Sequence, residues 1–201
     1  MKLVCLTGFM GCGKTTTGRL LAKQLGWRFV DIDENIENQA GLGISQIFDR
    51  LGEAAFRDLE RAELARALGE ASASVVPTVL ALGGGTFAQP ANMEMLRAAC
   101  GSAGGPRVGC TVWLDCPVEL LLSRCVMMDD RPLFRDETSF RDLYDERLPF
   151  YRQADLRVEG GGSPRQVVEH ILASEVFGRR GSPSMGAGAG DFAGEVRPQS
   201  K

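Results

Sequence analysis

Histidine is nearly missing from this sequence; His170 is the only one. The six cysteines (Cys5, Cys12, Cys100, Cys110, Cys116 and Cys125) form no CxxC pair. Together these two facts leave no Cys/His set with the spacing that zinc requires. Also lacking is any apolar run close to the roughly 20 residues needed to span a bilayer. An excess of positive charge is lacking too: 23 Lys and Arg stand against 26 Asp and Glu, a net charge of −3. That argues against a chain held to nucleic acid by phosphate contacts, because such domains are clearly basic. A small anionic ligand needs only a few local arginines, which a mildly acidic protein still supplies. The opening MKLVCLTG is too short for a signal peptide and has no small-residue cleavage site, so it reads as a strand entering a glycine turn. Six cysteines admit disulfides, but Cys5 falls in an expected core strand and Cys12 in the glycine turn. Reduced thiols and a cytoplasmic location are therefore expected.

What is present is an alternation of strands and helices. The chain has 201 residues, 44% hydrophobic and 24% charged, which suits one compact domain with some length to spare. Strands are expected at Lys2 to Thr7, Phe29 to Asp33, within the apolar run Val75 to Leu82, at Cys110 to Leu114 and at Asp155 to Val158. Helices are expected from Lys14 to a terminating Gly26, around Ile36 to Phe48 with a break near Gly41 to Gly43, and from Glu53 to Ala71. Further helices are expected at Gln89 to Cys100, Val118 to Val126, Ser139 to Tyr151 (interrupted at Pro149) and Pro164 to Phe177. Such an alternation implies a parallel sheet covered on both faces, a three-layer α/β domain over residues 1–177. Residues 178–201 are rich in Gly, Ala, Ser and Pro, with one Phe, and too poor in apolar surface to offset the entropy of ordering. They are expected to form a disordered tail.

The segment Gly8-Phe9-Met10-Gly11-Cys12-Gly13-Lys14-Thr15 fits G-x-x-x-x-G-K-[ST], preceded by an apolar strand and followed by a helix. Its glycines let backbone N–H groups turn inward as an anion nest, at which the helix aims its positive end. Lys14 is placed to reach nucleotide phosphates, and the Thr15 hydroxyl to reach Mg²⁺. By itself the motif does not separate a kinase from a GTPase or an ATPase. Asp31 and Asp33 follow, read as carboxylates on one side of an extended strand end. One is suited to hold Mg²⁺ through water, and the other to orient or deprotonate an attacking hydroxyl.

Taken in order, GFMGCGKTTTGRLLAKQLG, FVDID, GEAAFRDLE, LGGG, RPLF and ERLPFYRQAD resemble the shikimate kinase family over roughly residues 3–172. The resemblance implies the P-loop fold of nucleoside-monophosphate kinases, with a lid at about 124–137. It implies transfer of the ATP γ-phosphoryl group to the 3-hydroxyl of shikimate, with ATP as co-substrate and Mg²⁺. Gly11, Cys12, Gly13, Lys14, Thr15 and Thr16 would hold the nucleotide, with Lys14, Asp33 and Arg131 carrying catalysis. Asp33 would hold the shikimate hydroxyls and Asp31, with Thr15, the metal. Arg57 and Arg147 would grip the shikimate carboxylate, against the Gly83, Gly84 and Gly85 turn. Arg131 would reach the ATP phosphates and Arg124 would lie over adenine. Physical chemistry supports these roles: a carboxylate ligand calls for guanidinium forks. Glu60, three residues after Arg57 on a helix, can fix that side chain.

Another small-metabolite kinase of the same fold, such as a gluconate kinase, is the alternative enzyme, but it would not need two carboxylate-binding arginines. A kinase-like binder that had lost its substrate would be expected to lose Asp33, Arg57 or Arg147, and all three are present. The sequence departs from the family at Gly160-Gly161-Gly162-Ser163-Pro164, where an arginine near adenine often stands. It also departs at Asp129-Asp130, two acids beside Arg131. The small substrate would be the sole partner expected, with no nucleic acid or membrane, and a monomer suffices.

Overall fold

The computed structural model describes residues 1–101, 107–126 and 136–178. Five strands form one parallel sheet in the order β2-β3-β1-β4-β5, with β1 at Leu3–Thr7, β2 at Arg28–Asp31 and β3 at Thr78–Ala81. β4 is Gly109–Asp115 and β5 is Leu156–Glu159. The central strand β1, LVCLT, is buried at every residue. A strand turns successive side chains to opposite faces, so complete burial means that both faces are covered. Each fully buried Leu here contributes roughly 1.5–3 kcal/mol relative to an exposed one.

α1 (Lys14–Leu25) follows the glycine turn and stops at Gly26, whose left-handed φ of 67° closes the helix onto the Ala22 and Lys23 carbonyls. α1 packs on β2 and β3 and against α7 (Pro164–Ala173), while α3 (Ile44–Ala73) packs on α4 (Pro90–Cys100). Within α3 the chain breaks at Gly52, whose φ of 82° and ψ of 168° are not helical, so the two helical stretches read from the sequence remain distinct there. α2 (Ile32–Ala40) lies beside α3, α5 (Val118–Val126) follows β4, and α6 (Glu137–Tyr151) runs through Pro149 without stopping. The last helical stretch is divided at Ser174, leaving α8 as Glu175–Gly178. Of the apolar run Val75 to Leu82, only Thr78–Ala81 pairs as a strand, and Val75 is 89% exposed.

The second strand is shorter than its composition suggests. It ends at Asp31, and Asp33 sits in the first turn of α2. Asp31 Oδ1 accepts hydrogen bonds from the backbone N–H groups of Asp33 and Glu34, the arrangement of a helix N-cap. That cap contributes about 1 kcal/mol, and it overrides the alternation of a strand. The two carboxylates are thus brought together by a strand-to-helix turn, not by one face of an extended segment.

All six cysteines are buried and none forms a disulfide. Burial pushes Cys110 and Cys116 up to about 12, so both thiols stay protonated at neutral pH. Among the described residues no helix is long and apolar enough to cross a membrane.

Candidate active site

The C-terminal ends of β1, β2 and β3 converge on a cavity of about 390 Å³. Clefts outside the carboxyl ends of parallel strands are where α/β folds place ligands. β1 delivers the phosphate loop. Gly8, Gly11 and Gly13 have φ values of 140°, 79° and 90°, which L side chains rarely adopt. The Gly13 cap makes no side-chain hydrogen bond to the first turn of α1. The N–H groups of that turn are therefore left to an anion. Lys14 Nζ lies across the loop and donates to the Gly8 and Phe9 carbonyls at 2.9 and 3.2 Å. Thr16, at the third position of α1, is exposed, and Cys12 is buried in the loop.

Thr15 Oγ1 donates to Asp31 Oδ2 at 2.7 Å. One carboxylate oxygen of Asp31 caps α2 and the other meets the hydroxyl, a pairing of two hard oxygen donors beside the phosphate loop. This donor set fits Mg²⁺, which favours oxygen and is usually held by one or two carboxylates together with substrate phosphates.

The acceptor side is built on Gly83-Gly84-Gly85, directly after β3. A Cβ on Gly83 would lie 2.7 Å from Asp33 Oδ1, 2.7 Å from Glu60 Oε1 and 2.8 Å from Thr86 Oγ1. Three polar side chains from α2, α3 and a 3-10 turn (Thr86–Ala88) thus close over one backbone atom that has none of its own. Glu60 is fully buried and is held from two directions. Thr86 Oγ1 donates to it at 2.6 Å and Arg57 Nη1 at 2.9 Å. Burial works against the Arg57 charge, but Glu60 and the exposed Glu53 more than offset it, and the guanidinium is held above its ordinary value.

Arg147 arrives from α6 and is 5% exposed. Its guanidinium lies 5.6 Å from the centre of the Phe9 ring, a cation–π contact. Among the described residues no carboxylate pairs with it, in contrast to Arg57. A Cβ on Gly84 would lie 3.7 Å from Arg147 Nη1, and one on Gly85 would lie 2.6 Å from Arg57 Nη1. The two guanidinium groups therefore stand on successive residues of the same turn. Beside Arg57 the lining is apolar: its guanidinium lies 5.3 Å from the centre of the Phe56 ring, which packs against Phe48 at 4.7 Å between centroids.

Arg124, near the end of α5, donates through Nη1 to the Gly11 carbonyl at 3.1 Å. This ties it to the phosphate loop, and it is not part of the cavity lining. Arg131 and most of the lid segment lie outside the described residues, as does the tail beyond Gly178. The structure thus brings Lys14, Thr15, Asp31, Asp33, Arg57, Gly84, Gly85 and Arg147 onto one cavity, with Gly83 directly behind it. It also adds residues that sequence reasoning missed. Thr86 braces Glu60, and Tyr151 donates to the Gly84 carbonyl at 2.5 Å. The position of Thr86 directly after the triple glycine was the one available signal for it.

A family model described as shikimate kinase matches residues 10–175. The shikimate kinase of Persephonella marina is 40% identical over 174 residues, covering 86% of this chain and 98% of that one. That of Ruegeria pomeroyi is 40% identical over 178 residues, covering 86% and 84%. Among solved structures, shikimate kinase from Acinetobacter baumannii in complex with shikimate superposes with a TM-score of 0.74. It is 37% identical and the match covers 86% of this chain and 91% of that one. A gluconokinase from Sinorhizobium meliloti shares the fold, with a TM-score of 0.54 at 21% identity over 85% of this chain and 89% of its own. Matched across most of its length by model, relatives and structure, this chain belongs to the shikimate kinase family.

Proposed function

We propose that this cleft transfers the γ-phosphoryl group of ATP to the 3-hydroxyl of shikimate, giving ADP and shikimate 3-phosphate. The observation that carries the reading is the pair Arg57 and Arg147 on the Gly84-Gly85 turn, facing the same cavity as Asp33. A buried guanidinium with no carboxylate of its own is costly unless an anion meets it. Arg147 is such a group; with the Arg57 guanidinium beside it, it selects a carboxylate, and a nearby acid selects hydroxyls. A gluconate kinase acts on an acid too, but the gluconokinase likeness extends only to the fold.

In this reading the phosphate loop and the N-terminus of α1 hold the β- and γ-phosphates. Lys14 exchanges its carbonyl partners for phosphate oxygens and stabilises charge as the phosphoryl group moves. The Asp33 carboxylate holds the acceptor hydroxyl and takes its proton. Thr15 and Asp31 hold Mg²⁺, which, when bound, neutralises phosphate charge. Arg131, in a lid of about residues 124–137, reaches the phosphates, and Arg124 lies against adenine. The catalytic unit is residues 1–177. It works as a monomer, and in the cytoplasm, where six cysteines outside any disulfide are at home.

A coupled ADP-release assay with ATP and Mg²⁺, run against shikimate and gluconate side by side, tests this. Shikimate-dependent release with none for gluconate is expected. Clean ATP binding without shikimate-dependent release would sink the proposal.

A further inference from the structure

Tyr151, the last residue of α6, is fully buried and lies outside the lining of the acceptor cavity. Its hydroxyl donates to the Gly84 carbonyl at 2.5 Å, across 67 residues of chain. The ring stacks on Trp113 of β4 at 6.2 Å between centroids, so sheet packing fixes its place. Burial raises the phenol well above its ordinary value, so the hydroxyl keeps its proton and remains a donor. Arg147, one helical turn earlier, interacts with the same phenol.

The peptide after Gly84 transmits this contact. No cis peptide bond occurs among the described residues, so the Gly85 N–H points opposite to the Gly84 carbonyl. The carbonyl is drawn toward a buried side chain outside the cavity, while Gly84 and Gly85 themselves line it. The N–H is therefore turned toward the cavity.

We propose that Tyr151 is a positioning residue: its hydroxyl locks the Gly84–Gly85 peptide so that the Gly85 N–H, beside the Arg57 and Arg147 guanidinium groups, faces the acid substrate as a fixed donor. This rests on the proposed acceptor site. α6 then serves the substrate twice, through Arg147 directly and through Tyr151 by way of the glycine turn. Glycine at 84 and 85 leaves that peptide little steric restraint of its own, and the phenol supplies the restraint from outside. A donor already aimed costs nothing to orient when substrate arrives.

Tyr151→Phe removes the hydroxyl alone and tests this by two measurements. In the coupled assay the KM for shikimate is expected to rise about tenfold, the scale of one ordering hydrogen bond, with the KM for ATP unchanged. In amide NMR of the ligand-free protein, the Gly85 N–H resonance is expected to move while that of Gly13 stays in place. A variant that melts earlier but keeps its KM for shikimate and its Gly85 resonance overturns the proposal, because the tyrosine is then only core. An equal rise in both KM values also overturns it. Should the wild-type chain show no activity toward shikimate, the functional reading fails separately. The Gly85 comparison still decides whether the phenol holds the peptide.

Discussion

Replacing Gly83 by alanine adds one carbon at the most crowded point of the acceptor site. The backbone itself permits the change, since Gly83 is not among the residues of positive φ. The cost is one of contact. The new carbon would meet Asp33 Oδ1 and Glu60 Oε1 at 2.7 Å and Thr86 Oγ1 at 2.8 Å, where 3.4 Å or more is ordinary. None of the three is a loose surface atom. Thr86 and Glu60 are fully buried and bonded to each other at 2.6 Å, and Glu60 is tied to Arg57. Overpacking of this kind costs about 1–3 kcal/mol of stability. The effect on catalysis is larger in proportion, because Asp33 and, through Glu60, Arg57 must both retreat from the substrate. A displacement near 1 Å in a positioned group costs on the order of 100-fold in rate, about 3 kcal/mol of transition-state stabilisation. Urea unfolding and the coupled assay measure the two effects separately. If Gly83→Ala kept kcat/KM within about twofold of wild type, the convergence of these three side chains would have no bearing on catalysis and the reasoning would fail.

Four other outcomes are expected. Lys14→Ala should lower kcat by about 100-fold or more, with a urea midpoint close to wild type; unchanged turnover would remove Lys14 from the mechanism. Arg147→Ala should chiefly raise the KM for shikimate, by about 10- to 100-fold, and an unaltered KM would contradict its carboxylate role. Glu63 is buried beneath Arg66, Asn35 and Gln39. Burial opposes its charge, but the hydrogen bonds from those three more than compensate and hold its carboxyl below the ordinary value of 4.5. Its contribution is therefore full above that pH and lost as pH falls through the lowered value, so Glu63→Gln should flatten the acid limb of a stability–pH profile. Gly69 is a mid-helix glycine with open space where a Cβ would stand, and Gly69→Ala should stabilise the fold by about 0.5–1 kcal/mol in urea unfolding.

What the sequence made legible was local. The phosphate loop is eight consecutive residues between a strand and a helix, and the Arg57–Glu60 pair is one helical turn. The position of Asp33 was harder to read. Alternation placed it on a strand, whereas the capping of α2 by Asp31 ended that strand two residues earlier. Periodicity carries no information about a cap that competes with it. Thr86 and Tyr151 were hidden for a different reason. Their partners lie 26 and 67 residues away, and only the folded sheet brings them together. The division at Gly52 was legible, since a glycine amid charged residues reads as a boundary and its φ of 82° and ψ of 168° are not helical.

The phosphate loop and the glycine turn leave the sheet from adjacent strands, β1 and β3, paired from Leu3 with Thr78 to Leu6 with Ala81 and tied again by Leu82 N–H to the Leu6 carbonyl at 3.0 Å. Neighbouring strands lie about 4.8 Å apart in any sheet. The span between phosphoryl donor and acceptor thereby starts from a repeat distance of the sheet and not from the reach of flexible side chains. At the other end of the same strands, Val108 leads into β4 beside Lys2 at the foot of the sheet. Chain can be added there, between α4 and β4, without altering the step that the reacting groups must cross.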